Sequence, residues 1–279
     1  MTLTAFRLDI SDRVATLTMN RPAQMNTITP TYWRELEATI DHLQREAPAR
    51  ALIIASTGKH FSAGMSLEMF GGELALDDSS AVGRANITAT LADMQRALDK
   101  IAALRMPVIA AIQGGCIGGG VDLASACDMR FCTADAFFCI QEINVGMAAD
   151  LGTLQRLPKL IPDGVVRELA YSGRRLAAQR ALAVGLVNEV YADAAAMAAG
   201  VRQLALEIAT KPPIAVWTSK QAIDYARDHS VADGLKQMGW LQAGMWDTAA
   251  VVESIGARRD KREPQFRDLA PLKLFGDAK

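Results

Sequence analysis

Residues 107–112, Pro-Val-Ile-Ala-Ala-Ile, run after one glutamine into a glycine-dense turn, Gly114-Gly115-Cys116-Ile117-Gly118-Gly119-Gly120, and then into Val121-Asp122-Leu123. A short apolar run followed by clustered glycines and a small-residue segment reads as a buried strand, a tight turn and a helix N-terminus. The turn is not a dinucleotide fingerprint, because Leu123 stands where the third glycine of Gly-x-Gly-x-x-Gly would fall, and it is not a P-loop, because no Gly-Lys-Ser/Thr follows. It does place bare backbone N–H groups, those of Gly119 and Gly120, at the positive end of a helix, where developing negative charge is favoured.

The same grammar recurs along the chain. Strands are expected over 4–9, 13–19, 51–55, 129–133 and 136–140. Helices are expected over 30–46, with Pro30 at the first helical position, and over 84–104, 151–160, 163–171, 177–183 and 193–209. Pro212-Pro213 opens a last segment that reads as helical to about residue 259. Strands alternating with helices define an α/β fold. Half of the 279 residues are hydrophobic and the formal net charge is −1, which supports a sizeable core and argues against nucleic acid as a partner. The four cysteines form no Cys-x-x-Cys pair and read as buried reduced thiols. The three histidines lack zinc spacing, so no metal is expected. With neither a secretory nor a transit segment apparent and no long apolar run, the expected location is cytoplasmic, with no membrane association.

Three acids stand out: Asp122, Glu142 in Ile-Gln-Glu-Ile-Asn-Val-Gly, and Asp150 in Ala-Ala-Asp-Leu-Gly-Thr. Carboxylates among apolar and small residues are costly to bury unpaired, and grouped near one turn they point to proton transfer. Each has a plainer reading. Asp122 can compensate a helix dipole, Asp150 can cap the next helix, and Glu142 can be a solvated edge residue. The loop Lys59-His60-Phe61-Ser62-Ala63-Gly64-Met65-Ser66-Leu67 follows a buried strand and can point the N–H of Met65 into a cleft. Paired with an N–H of the glycine turn, it would make a two-donor oxyanion hole; the plainer reading is an ordinary glycine loop beside a tightly packed turn. The aromatic and Met residues at 217–246 read as core or subunit packing, and the basic run 258–262 as a solvated surface or a contact for phosphate.

Together, Asn20-Arg21-Pro22 with Asn26, Phe61-Ser62-Ala63-Gly64, Gly118-Gly119-Gly120, Gly152-Thr153-Leu154-Gln155-Arg156-Leu157 and Gly185-Leu186-Val187 resemble the crotonase, or enoyl-CoA hydratase/isomerase, superfamily over about residues 10–270. At Asp122, Glu142 and Asp150 the chain is similar to the Δ3,5-Δ2,4-dienoyl-CoA isomerases; hydratases carry Glu at the first of these positions. Ser66 departs from the family's usual Asp. The resemblance implies a spiral of ββα units over 1–200 and a C-terminal helical trimerisation region over 201–279. It implies isomerisation of a 3,5-dienoyl-CoA, with Asp122, Glu142 and Asp150 catalytic, Met65 and Gly119 as the oxyanion hole, and Ala63, Gly64, Ser66, Leu67 and Gly120 against the substrate. Asp150 would be the C2 base and Glu142 the C6 acid, or the reverse. It further implies a homotrimer or a hexamer of paired trimers, with coenzyme A entering only as part of the substrate and no cofactor. An enoyl-CoA hydratase and a catalytically idle binding protein of the same fold are the alternatives.

Overall fold

The computed structural model describes residues 3–66, 69 and 77–273. Its main sheet has six strands in the order β1 (Phe6–Ser11), β2 (Val14–Met19), β3 (Ala51–Ser56), β4 (Val108–Ile112), β6 (Met129–Thr133) and β9 (Glu189–Tyr191). Among the described residues of this sheet, the β1–β2 hairpin is antiparallel and every other pair is parallel. A smaller sheet joins β5 (Gly115–Ile117), β7 (Phe137–Cys139) and β8 (Leu176–Ala177), and Ser62 bridges onto Cys116 at its edge. Successive turns of chain therefore give one strand to the large sheet and the next segment to the small one: β3 then Ser62, β4 then β5, β6 then β7. This is the spiral that the family resemblance implied.

Burial on both faces explains the apolar strands. Leu52, Ile54, Ala110 and Ile112 point with Leu36, Ile40 and Leu43 of α1 (Pro30–Glu46) into the larger core. Ile53, Ile109, Ala111 and Phe131 alternate to the opposite face and meet Met197, Val201 and Ala205 of α7 (Ala194–Ala209). Thr29 caps α1 by accepting the N–H of Tyr32.

Three expectations change in detail. The glycine run is not only a turn: residues 115–117 pair with β7 before α3 (Gly119–Ala126) begins. The helix expected over 151–160 shrinks to α4 (Thr153–Arg156) and a 3-10 turn over Leu157–Lys159, where Pro158 lacks an N–H. The expected helix at 84–104 is α2 (Ala81–Ala102), started by the Ser80 cap. After α5 (Asp163–Ser172) and α6 (Ala178–Ala183), the C-terminal segment divides into α8 (Pro213–Ala226), α9 (Val231–Met245) and α10 (Thr248–Arg259). Two buried basic residues tie this region to the core. Lys220 of α8 donates to Asp128 and to the Met106 carbonyl, and Arg50 donates to Asp268 and to the carbonyls of Phe266 and Ala209. All four cysteines are free and buried, as expected.

Candidate active site

A cleft of about 610 Å³ opens between the glycine turn, α2 and the segment after β7. Its lining is largely apolar, with Met25, Leu91, Met94, Ile117, Met147 and Leu151 among the wall residues, and into it project Glu142 and Asp150. Ala63, Gly64, Met65, Ser66 and Gly119 also line it.

The placement of the two candidate donors, the Met65 and Gly119 N–H groups, follows from two close backbone approaches. The Ile28 N–H bonds the Gly64 carbonyl and the Ser66 N–H bonds the Ile28 carbonyl, so the loop crosses Ile28 as a one-bridge strand and leaves the intervening Met65 N–H over. A side chain at Gly64 would press on the Ile117 carbonyl and stand 3.4 Å from the Gly119 nitrogen, so the two loops touch. The Gly119 N–H is the first of α3 and has no intrahelical acceptor. Among the described residues, no acceptor is found for either N–H.

Glu142 begins a 3-10 turn directly after β7. One carboxylate oxygen lies against Gly118, where any Cβ would approach it to 3.1 Å, and the other is buried without a hydrogen-bond partner. Gly118 also holds φ 52°, ψ −122° as the N-cap of α3, a conformation that L side chains avoid. Burial raises the pKa of Glu142 to about 7, with the charges of Asp122 and Asp150 adding to the effect against opposing backbone hydrogen bonds. Asp150 keeps an exposed surface where it lines the open cleft, yet its carboxyl is partly withdrawn from water, and this raises its pKa. Its carbonyl accepts a 2.7 Å hydrogen bond from Gln95 of α2, which sequence reasoning had not singled out.

Two of the expected residues sit elsewhere. Asp122 does not line the cleft: it is 1% exposed, behind the wall, and one oxygen accepts the Thr153 N–H at 2.7 Å. Burial lifts its pKa to about 6 against the pull of Thr153. It is thus far more than a dipole-compensating surface acid. Gly120 is also behind the wall, against Ser62. Leu67 lies outside the described residues. Asp150 is not a helix cap: Gly152 takes that position at φ 120°, which L side chains rarely adopt, and the Arg156 guanidinium lies where a Cβ at 152 would point. Arg175, stacked 4.2 Å from the Phe137 ring centroid, lines the cleft and carried no motif that would have marked it. Among the described residues, no group of three His, Cys, Asp or Glu side chains is arranged to hold a metal ion.

The enoyl-CoA hydratase/isomerase family model matches residues 9–269, and the chain belongs to that family. The mitochondrial Δ(3,5)-Δ(2,4)-dienoyl-CoA isomerase of Mus musculus is 42% identical over 250 residues, covering 88% of this chain and 76% of that protein. The peroxisomal Δ(3,5)-Δ(2,4)-dienoyl-CoA isomerase of Arabidopsis thaliana is 35% identical over 272 residues, covering 96% and 98%. Among solved structures, an enoyl-CoA hydratase from Bacillus anthracis superposes with TM-score 0.86 at 29% identity, covering 94% of this chain and 99% of that one. No described helix is long and apolar enough to cross a membrane.

Proposed function

We propose that the cleft converts 3,5-dienoyl-CoA to 2,4-dienoyl-CoA, as an isomerase of fatty acid β-oxidation. The observation that carries the reading is the placement of Glu142 and Asp150 on one apolar cleft beside the unclaimed N–H groups of Met65 and Gly119. The thioester oxygen is held by those two donors. Asp150 takes the C2 proton, and the electron pair moves into a C2–C3 bond as charge spreads to the thioester oxygen and along the chain. Glu142 gives its proton to C6, leaving double bonds at C2 and C4. The elevated pKa of Glu142, about 7, keeps a protonated fraction at neutral pH, and the raised pKa of Asp150 makes it a stronger base. One turnover leaves Asp150 protonated and Glu142 ionised, and the open cleft lets solvent restore both. Losing one oxyanion donor in such sites lowers kcat by ~10²–10³.

The chemistry moves protons only, so no cofactor is proposed beyond the coenzyme A of the substrate. Hydration of a 2-enoyl thioester is the disfavoured alternative, because it uses two carboxylates on one water and Asp122 is turned away to Thr153. Exposed Ile223, Leu235, Trp240, Val252 and Ile255 on α8–α10, with Trp246 between α9 and α10, support assembly as a trimer or paired trimers. The free thiols support a reducing compartment, for which we propose the cytoplasm. The test is the ultraviolet absorbance change on isomerisation of a 3,5-dienoyl-CoA, run beside hydration of crotonyl-CoA. Asp150→Asn and Glu142→Gln are each expected to cut isomerase turnover by orders of magnitude with the fold intact; wild-type rates in both refute the assignment.

A further inference from the structure

The turn that carries Asp150 is held by side chains rather than by backbone pairing. Among the described residues, the backbone of residues 148–151 makes no hydrogen bond to other backbone groups. Three side-chain contacts take that place. The Gln95 amide of α2 donates to the Asp150 carbonyl at 2.7 Å. Arg156 donates to the Leu151 carbonyl at 3.1 Å and is itself held by Asp99 of α2 at 2.6 Å. Asp122 accepts the Thr153 N–H at 2.7 Å. Only the first of the three falls on Asp150 itself.

Helix periodicity makes Gln95 unexpected. Leu91, Met94, Leu98 and Ile101 form the apolar stripe that α2 turns to the core, and position 95 lies within that stripe, where an apolar residue is the default. Gln95 is instead half-buried and polar, and its amide meets a carbonyl that has no backbone donor. One turn earlier on the same helix, Thr90, Leu91 and Met94 line the cleft, whereas Gln95 is not among the lining residues. It therefore has Asp150, not substrate, to act on. A base works only within hydrogen-bond reach of the proton it takes, about 3 Å, and a displacement of ~1 Å can lower a rate ~10²-fold. We infer that Gln95 is a positioning residue: its amide, reaching from α2 to the Asp150 carbonyl, fixes the turn that aims the Asp150 carboxylate at the substrate's C2. The inference rests on the role proposed above for Asp150.

The experiment is steady-state isomerase kinetics on Gln95→Met, Asp150→Asn and the double variant, with thermal melting of each. Met keeps the length and helix preference of Gln and removes only the N–H donor. Gln95→Met is expected to lower kcat ~10–100-fold while KM moves by less than about twofold, because substrate binding is untouched and the base is misplaced. In the Asp150→Asn background the same substitution is expected to cost nothing further, because the group it positions is gone. Should Gln95→Met fold poorly, Gln95→Asn keeps the amide but is one methylene too short to reach the carbonyl, and the same pattern is expected. Wild-type kcat in these variants, a KM rise that accounts for the loss in kcat/KM, or a full additional loss in the Asp150→Asn background overturns the inference while leaving the proposed reaction standing. Full activity in Asp150→Asn would instead remove the reading beneath it.

Discussion

Replacing Glu142 by Gln should make the protein more stable above neutral pH while stopping its chemistry. The Glu142 carboxyl is mostly withdrawn from water, one of its oxygens has no hydrogen-bond partner, and its pKa rises from an ordinary 4.5 to about 7. A group whose pKa is raised on folding contributes stability in its neutral form. That contribution is complete below the unfolded value near 4.5 and is lost as pH climbs through the folded value near 7. At ~1.4 kcal/mol per pH unit, the loss comes to about 3 kcal/mol. Gln does not ionise, so the variant escapes it. Denaturant unfolding of both proteins at pH 4.5 and pH 8 reads the difference: near parity at the acid end and an advantage of about 2–3 kcal/mol to Gln at the alkaline end. Other titrating groups are common to both proteins and largely cancel. A stability gap that stays flat across pH would refute the claim that Glu142 is held in a desolvated, proton-retaining site.

Gly118→Ala puts a methyl group 3.1 Å from a Glu142 oxygen at a backbone conformation unsuited to Ala. It should cost about 1–3 kcal/mol and lower kcat more than it raises KM, read by thermal melting and steady-state isomerase assay. Retention of wild-type kcat would mean Glu142 does not depend on that close approach. Lys220→Met strands the Asp128 carboxylate beside the start of β4, where it still accepts the Val108 N–H at 2.7 Å. The expected loss is about 3 kcal/mol in denaturant unfolding, with partial recovery on adding Asp128→Asn; a change within measurement error would show the pair does not anchor α8.

Much of the architecture was legible because it rests on short-range rules. Apolar runs such as 51–55 and 107–112 are apolar throughout because both of their faces are covered, and Thr29-Pro30 starts α1 where capping chemistry says it should. The strands at 115–117, 176–177 and 189–191 were not visible. They are two or three residues long, and their pairing partners lie far away in the chain, so periodicity has nothing to register. The short α4 was overestimated because Leu151 and Leu154 look helical, whereas Gly152 at φ 120° delays its start and the turn holding Pro158 tightens its end to 3-10.

For the site, residue types alone nominated Asp122, Glu142 and Asp150, because acids set among apolar and small residues need a reason to be there. Sequence alone also nominated the two glycine-bearing loops that carry the Met65 and Gly119 N–H groups, and the structure packs those loops against each other. Only the tertiary structure separated the acids into different environments: Glu142 and Asp150 on the cleft, Asp122 behind it on Thr153. The physical reason is that an acid's identity is local, but its desolvation, its charged neighbours and the donor that reaches it come from segments packed against it. Those contacts, not the residue type, set whether it keeps a proton.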